Sequence, residues 1–229
     1  MNDIHGTAIL DFYKQGSADD LVLYNSYGEP EEMPVEVFFR DQLDFSTLEH
    51  LALIECEGAI LDLGAGAGAH ALLLQEWGKD VTALDNSPGC CEVMRQSGVE
   101  KVVETHYLRH QGQYDTLLML MNGIGIVGKL ADLPDFFDYA ATIIKPGGQL
   151  LVDSSDISYL YEDDDIPKPK GYYGEVNYAY EYKGNKGNWF DWLYVDQDRL
   201  TEACKASQLE AEVLMTDENE QYLIRISGF

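Results

Sequence analysis

Short apolar runs alternate with segments of helical pattern between about residue 56 and residue 156. Runs of this length are typical of strands buried in a parallel sheet, and the segments between them are typical of the connecting helices. The apolar runs predict strands at residues 60–63, 80–85, 99–105, 116–121 and after Gly148. The helical patterns predict helices at residues 69–75, 88–96, 133–144 and 196–207, followed by an antiparallel strand pair at 209–215 and 221–227. The pattern therefore indicates an α/β fold.

Two segments lie outside this alternation. Residues 1–55 predict an N-terminal helical cap, with one helix over 4–15 and another opened by the capping box of Ser46 and Glu49. Residues 157–196 are rich in aromatic side chains and predict a β-hairpin around residues 184–187. We interpret the chain as one domain in four segments: 1–55 (cap), 56–156 (core), 157–196 (hairpin insertion) and 197–229 (last helix and terminal strands).

The most informative stretch follows the first predicted strand, where Gly64, Gly66 and Gly68 precede a helix. Glycine allows backbone conformations closed to other residues and lets a ligand lie against bare peptide groups. The second predicted strand ends in Asp85, 21 residues after Gly64, the offset at which an acid reaches a ribose. Strand, glycine turn, helix and acid together predict a nucleotide-binding βαβ unit.

Asp62 precedes the first glycine by two residues, which gives Asp-x-Gly-x-Gly-x-Gly. This motif resembles motif I of the class I S-adenosylmethionine-dependent methyltransferases. The resemblance continues in residues 85–88 (Asp-Asn-Ser-Pro), 114–118 (Tyr-Asp-Thr-Leu-Leu) and 145–151 (Lys-Pro-Gly-Gly-Gln-Leu-Leu). It implies a Rossmann-like, doubly wound sheet of seven strands, mostly parallel with an antiparallel C-terminal pair. It also implies S-adenosyl-L-methionine as the cofactor and a methyl acceptor that we expect to be a small molecule.

The resemblance also assigns site residues. It places the glycine turn under the methionyl part, Asp85 on the ribose and Asp62 near the amino group. An acid near the adenine is expected after the third strand, where Glu104 is the candidate. The methyl donor points towards the end of the fourth strand, where Asn122 either orients a nucleophile or only caps the next helix. The residues expected at the cofactor are Asp62, Gly64, Ala65, Gly66, Gly68, Asp85, Asn86, Glu104, Asn122 and Arg40.

No catalytic residue is fixed by the sequence, and Asn122 and Asp153 are the candidates. If the nucleophile enters protonated, Asp153 or Asp156 could serve as a general base, and nothing in the sequence singles out one of them. Arg40 has two interpretations: a surface ion pair, or a lid residue whose guanidinium meets the cofactor carboxylate. Tyr172 and Tyr173 are candidates for a substrate lid, and the aromatic hairpin alternatively covers a sheet edge or forms a homodimer contact. We expect His70, just past the glycine turn, to pack on the helix surface.

Composition mainly excludes partners. The chain has 41 acidic against 15 basic residues and a net charge of −26, which argues against a nucleic-acid substrate and would steer in a cationic small molecule. This acidic protein shows no signal pattern and no run of 18 apolar residues, so a cytoplasmic location without membrane attachment is expected. The spacing of the four cysteines suits neither disulfides nor a metal site and predicts buried thiols.

Two other functions remain open at this point. The same glycine turn satisfies the dinucleotide fingerprint, so an NAD(P)-dependent oxidoreductase is one alternative. A cofactor-binding module without catalysis is the other, because the Asn-Pro-Pro-aromatic signature of amino-group methylases is absent after the fourth strand, where residues 122–125 read Asn-Gly-Ile-Gly.

Overall fold

The computed structural model describes residues 3–162 and 166–229. The α-helices are α1 (Ile4–Gln15), α2 (Thr47–Ile54), α3 (Ala69–Glu76), α4 (Pro88–Ser97), α5 (Leu133–Ile143) and α6 (Gln197–Ala206). The strands are β1 (Leu21–Asn25), β2 (Glu31–Met33), β3 (Ala59–Leu63), β4 (Asp80–Asp85), β5 (Val102–Glu104), β6 (Tyr114–Met119), β7 (Ile144–Ser155), β8 (Glu175–Tyr182), β9 (Asn185–Lys186), β10 (Phe190–Leu193), β11 (Glu210–Thr216) and β12 (Gln221–Ser227). Short 3-10 helices include Val35–Phe38 and Gly123–Val127.

Seven of the strands form one sheet in the order β11-β12-β7-β6-β3-β4-β5. The pairs β4–β5 and β6–β7 are parallel, whereas β12 runs antiparallel to both β7 and β11. The predicted Rossmann-like α/β fold with an antiparallel C-terminal pair is thereby confirmed. Strand order in such a sheet brings the carboxyl ends of neighbouring parallel strands to one edge, where ligands bind in open α/β folds.

Local chemistry explains where the helices begin. Ser46 Oγ accepts the Glu49 N–H at 3.1 Å, and the Glu49 carboxylate accepts the Ser46 N–H at 2.8 Å, so the predicted capping box is present. Ser87 caps α4 by accepting the Cys90 N–H at 3.1 Å, with Pro88 in the first turn. The four cysteines are buried free thiols, as predicted.

Two predicted strands differ in extent from the observed ones. The strand expected over 99–105 is shorter, covering only Val102–Glu104. The strand expected to reach residue 121 ends at Met119, because Met121 and Asn122 adopt positive φ angles of 63° and 56°. Left-handed backbone cannot continue a strand, and two such non-glycine residues in a row mark a strained turn.

The N-terminal segment contains two strands besides the two predicted helices. Residues 1–55 contribute α1 and α2, but they also contribute β1 and β2 to a second sheet of order β10-β8-β1-β2, with β9 paired to β8. β1 alternates buried and half-buried residues, which is the pattern of a half-covered strand. β2 begins with Glu31 and Glu32 and pairs with β1 through the backbone, and the Glu31 carboxylate also accepts a hydrogen bond from Asn25 Nδ2 at 2.9 Å. The predicted hairpin, with strands over 176–182 and 189–195, is confirmed in β8 and β10, which are neighbours in this sheet, and the short β9 in the predicted turn also pairs with β8.

One compact unit contains the described residues up to Phe45 together with Leu61–His110 and Asn177–Phe190. Its core gathers buried side chains from α1, β1, α4 and β8, from the 3-10 helix Val35–Phe38 and from the turn after β3: Ile4, Ala8, Ile9, Leu21, Val35, Ala67, Cys90, Val93 and Tyr182. Tyr182 Oη donates to the Asp11 carboxylate at 3.1 Å, and Lys183 Nζ reaches the same oxygen at 2.7 Å. α1 is therefore fixed to the end of β8 by packing and by polar contacts.

The other compact unit contains Ser46–Ile60, Gln111–Val176 and Asp191–Phe229. Its centre is β7, whose residues Leu150, Leu151 and Val152 are fully buried. Tyr222 on β12 is also fully buried, and its hydroxyl donates to the Val195 carbonyl at 2.6 Å. Because a buried hydroxyl without a partner is costly, this bond makes the aromatic core residue compatible with its position.

We expect Gly89→Ala to destabilise the protein. A Cβ at residue 89 would lie 2.2 Å from the Gly6 carbonyl oxygen, so α1 and α4 would have to separate. Overpacking of this kind costs about 1–3 kcal/mol of the free energy of unfolding. Urea denaturation measures the loss, and Gly171→Ala serves as the control because an added Cβ there meets nothing within 4 Å. Equal stability of both variants would contradict the close helix contact.

Candidate functional site

The glycine turn after β3 is held against the end of β4 by two backbone hydrogen bonds. The N–H groups of Gly64 and Ala65 both donate to the Leu84 carbonyl, at 2.8 and 3.1 Å. Gly64, Gly66 and Gly68 have φ angles of 80°, 57° and 88°, which side chains disfavour. A Cβ at Gly66 would meet nothing within 4 Å, so the surface above this residue is open. The turn therefore offers bare backbone to a ligand.

Asp85 is the polar centre of this turn. Its Oδ2 accepts the Gly66 N–H at 2.9 Å, and its Oδ1 accepts the Ser87 N–H at 2.8 Å. Burial raises the pKa of Asp85, and these two backbone donors oppose that shift. A carboxylate oxygen can accept more than one hydrogen bond, so both oxygens of Asp85 can still accept from hydroxyl donors of a ligand.

Asp62 lies on β3 and is 2% exposed. Burial raises its pKa to about 6; the nearby His70 opposes the shift, and the negative charge of Asp85 adds to it. Among the described residues, its Oδ2 is a buried oxygen without a hydrogen-bond partner. A buried acceptor left unpaired costs free energy, so the site is suited to a donor or cation supplied by a ligand. The amino group of the predicted cofactor fits this requirement.

Glu104 ends β5 and is paired in register with Asp85 at the end of β4. The two acids thus stand side by side at the carboxyl edge of the sheet. Glu104 also receives the Arg95 guanidinium at 3.3 Å, and its side chain is 41% exposed. Its predicted contact with the adenine stays a prediction, as does that of the exposed Asn86.

The guanidinium of Arg40 contacts its own neighbourhood. Its Nε donates to the Val37 carbonyl at 3.0 Å, and its plane lies over the Phe45 ring with the central carbon 5.4 Å from the ring centroid. Phe45 also packs against the ring of His70, at 4.8 Å between centroids. His70 is 7% exposed, so it lies in the interior and not on the helix surface as predicted. The lid role of Arg40 stays a prediction.

In the second unit, the turn after β6 is fixed by residues of β7. The Gly123 N–H donates to Asp153 Oδ1 at 3.0 Å, and Gln221 Nε2 donates to Asp153 Oδ2 at 2.9 Å. Ser155 Oγ donates to Asn122 Oδ1 at 2.8 Å. Asp153 is fully buried with a donor on each oxygen, whereas Asn122 keeps its amide N–H groups for another acceptor.

Tyr172 and Tyr173 are held by two carboxylates, that of Asp196 at the start of α6 and that of Asp156 just after β7. The Tyr172 hydroxyl donates to Asp196 Oδ2 at 2.6 Å and accepts the Asp196 N–H at 2.8 Å. The Tyr173 hydroxyl donates to Asp156 Oδ1 at 2.7 Å. Burial, followed by these carboxylates, raises the pKa of both phenols. Both rings line a cavity of about 780 Å³, and their predicted role as a substrate lid stays a prediction.

Sequence reasoning missed the N-terminus as part of the cofactor side. Asp3 caps α1 by accepting the Gly6 N–H at 3.0 Å, and its other oxygen accepts Ser87 Oγ at 2.8 Å and the Gly89 N–H at 2.9 Å. The local signal was present, because Asp before an apolar helical pattern predicts an N-cap. The contact with residues more than 80 positions later has no sequence signature.

Within residues 3–162 and 166–229, no group of three or more His, Cys, Asp or Glu side chains is arranged to hold a metal ion. In the same part of the chain, no helix has the length and apolar character needed to cross a membrane.

Comparison with known proteins agrees with this geometry. The family described as "Methyltransferase domain" matches residues 60–148. The chain is similar to a SAM-dependent methyltransferase from Bacteroides fragilis, solved in complex with S-adenosyl-L-homocysteine. The two share 41% identity over 98% of this chain and 94% of that one, with a TM-score of 0.93. No curated protein matches the chain.

More distant structures share the fold. The CcbJ methyltransferase of Streptomyces caelestis is 14% identical over 97% of both chains, with a TM-score of 0.64. The sugar N-methyltransferase KedS8 of Streptoalloteichus sp. ATCC 53650 is 16% identical over 86% of this chain and 94% of that one, with a TM-score of 0.57. The methyltransferase family match and the 41% identical methyltransferase do not favour the NAD(P)-dependent oxidoreductase alternative.

Proposed function

Because the chain belongs to the S-adenosylmethionine-dependent methyltransferases, we propose that its glycine turn holds S-adenosylmethionine for methyl transfer to a small-molecule acceptor. The observation that carries the proposal is the unpartnered oxygen of Asp62. It is a buried acceptor two residues before an open glycine turn, and a second acid, Asp85, accepts the Gly66 N–H of that turn. A cationic group of a ligand would supply the partner that the buried Asp62 Oδ2 lacks among the described residues, and so offset the cost of burying this carboxylate.

Each residue of the turn then has one role. Asp62 receives the amino group of the methionyl part, Gly64, Ala65, Gly66 and Gly68 present bare backbone beneath it, and Asp85 accepts the ribose hydroxyls. Asn86 and Glu104 follow at the adenine side, because Glu104 stands in register beside Asp85. Arg40 is the candidate for the methionyl carboxylate, since its guanidinium offers paired donors to such a group.

S-adenosylmethionine, when bound, supplies an electrophilic methyl group on a sulfonium. The protein's contribution is alignment and exclusion of water, which account for much of the barrier reduction in such transfers. Asn122 has its amide oxygen engaged by Ser155, so its N–H groups are suited to orient an acceptor atom of a ligand. Asp153 accepts a donor on each oxygen and is buried, which suits a positioning role better than that of a general base.

The acceptor class follows from charge. With 41 acidic against 15 basic residues, the surface potential favours a neutral or cationic small molecule over a polyanion such as nucleic acid. The cytoplasmic location stays a prediction. So does the homodimer through the hairpin, of which one face is already used within the chain, since Tyr178 and Tyr182 are buried.

We expect Asp85→Ala to weaken binding of S-adenosylhomocysteine by about 1–3 kcal/mol, because two ribose hydroxyls lose their acceptor. Titration calorimetry measures the change, and circular dichroism checks that the variant remains folded. Asp80→Ala, at the exposed start of the same strand, is the matched control and should bind normally. Unchanged affinity in Asp85→Ala would place the ribose elsewhere.

The affinity for S-adenosylhomocysteine should fall as the pH is lowered through about 6, the pKa of Asp62. The cationic amino group pairs with the ionised carboxylate, so protonation of Asp62 competes with binding and costs up to about tenfold per pH unit below the pKa. The ligand's amino group stays charged between pH 5 and 7. Calorimetry over this range should show a flatter profile for Asp62→Asn. Parallel profiles of both proteins would refute the assignment.

Arg40→Ala is expected to weaken cofactor binding by about tenfold through loss of one charge-assisted contact. Tyr173→Phe should leave that affinity unchanged and alter only turnover of an acceptor. Arg199→Ala, which removes an arginine paired with Glu202 on α6, controls for the general effect of losing a positive charge. If Arg40→Ala matches the Arg199 control, Arg40 has only a structural role in the cap.

A further inference from the structure

Asp3, the N-cap residue of α1, is linked to Asp85, the acid proposed to hold the ribose, by a continuous series of hydrogen bonds within the first unit. Asp3 Oδ2 accepts the Ser87 hydroxyl at 2.8 Å. The Ser87 N–H donates to Asp85 Oδ1 at 2.8 Å, and Asp85 Oδ2 accepts the Gly66 N–H at 2.9 Å. Asp3 therefore holds the residue that fixes one oxygen of Asp85, and Asp85 in turn holds the glycine turn.

Asp3 also caps two helices at once. Its Oδ1 accepts the Gly6 N–H in α1, and its Oδ2 accepts the Gly89 N–H in α4. The two helices approach closely enough that a Cβ at Gly89 would lie 2.2 Å from the Gly6 carbonyl oxygen. Glycine at positions 6 and 89 permits this close approach of the two helices. The Asp3 carboxylate is therefore held between two closely packed helix starts.

We propose that Asp3 is a positioning residue for the cofactor ribose, acting through Ser87 on the carboxylate of Asp85. The inference rests on the proposed role of Asp85 at the ribose. Asp85 has to present its oxygens to two hydroxyls while each already accepts a backbone N–H, so its rotation is narrowly limited. Release of the Ser87 hydroxyl frees the 86–88 turn, and with it the donor that sets the angle of Asp85.

The first test compares S-adenosylhomocysteine binding by four variants in titration calorimetry. Asp3→Ala and Ser87→Ala should each weaken binding by about three- to tenfold, the equivalent of one net hydrogen bond. Asp3→Asn keeps the size of the side chain and an acceptor for Gly6, and it covers the case in which Asp3→Ala does not fold. Asp11→Ala is the matched control: it lies on the same helix and loosens it from Tyr182 and Lys183. Its effect should stay below about twofold.

The second test separates positioning from general helix docking. The 2′-deoxy and 3′-deoxy analogues of S-adenosylhomocysteine lack the hydroxyls that Asp85 would hold. If Asp3 acts through Asp85, Asp3→Ala should cause little or no loss of affinity for the analogue that lacks the hydroxyl positioned through Asp3. A penalty of equal size with all three ligands would show that Asp3 only holds α1, and the inference would fail.

Failure of the inference and failure of the cofactor site give different results. If Asp3→Ala and Ser87→Ala bind normally while Asp85→Ala is weakened, the ribose site stands and Asp3 has no positioning role. If Asp85→Ala also binds normally, the ribose assignment itself is wrong.

Discussion

Backbone N–H groups from two segments converge on the Asp85 carboxylate, and the geometry of the cofactor side depends on this interaction. Gly66 donates from the turn after β3, and Ser87 donates from the start of α4. A buried carboxylate needs such donors to remain ionised. The same hydrogen bonds fix the conformation of the turn after β3, whose glycines have positive φ angles and would otherwise be conformationally free. One acid thus links the glycine turn after β3 to the start of α4.

The buried acids of this chain serve different purposes, and their hydrogen bonds distinguish them. Glu49 closes a capping box, and Asp153 holds the turn after β6 through Gly123 and Gln221. Both are satisfied within the fold. Asp62 is buried to the same degree, yet one of its oxygens has no partner among the residues described. Since burial without a hydrogen-bond partner is unfavourable, Asp62 indicates a ligand site, whereas the hydrogen bonds of Glu49 and Asp153 account for their burial within the fold.

Much of the fold was predictable because its signals are local. The glycine turn, the apolar runs of β3 to β7 and the capping box at Ser46 depend on neighbours a few residues apart, and each was found close to its predicted position. β1 was missed because its partner β8 lies about 150 residues away, and β2, which pairs with β1, was missed because it contains glutamates, whose strand propensity is low. The link from Asp3 to Ser87 was missed, like β1, because its partners lie far apart in the sequence. The left-handed turn was signalled only in part: asparagine is enriched in that conformation, as at Asn122, whereas nothing about Met121 predicts its positive φ angle.

The second sheet has a consequence for how the chain reaches its native state. β1 pairs with β8 in the register Leu23 to Tyr180, so this pair can form only after residue 180 has been synthesised. During synthesis, β2 and α4 can pair and pack with β1 and α1 early, whereas the edge of β1 that pairs with β8 stays open until residues 178–181 have emerged. Contacts of such sequence separation form late, because the entropy of closing the loop precedes any gain. The open edge of β1 is therefore available to other strands in the nascent protein until β8 covers it.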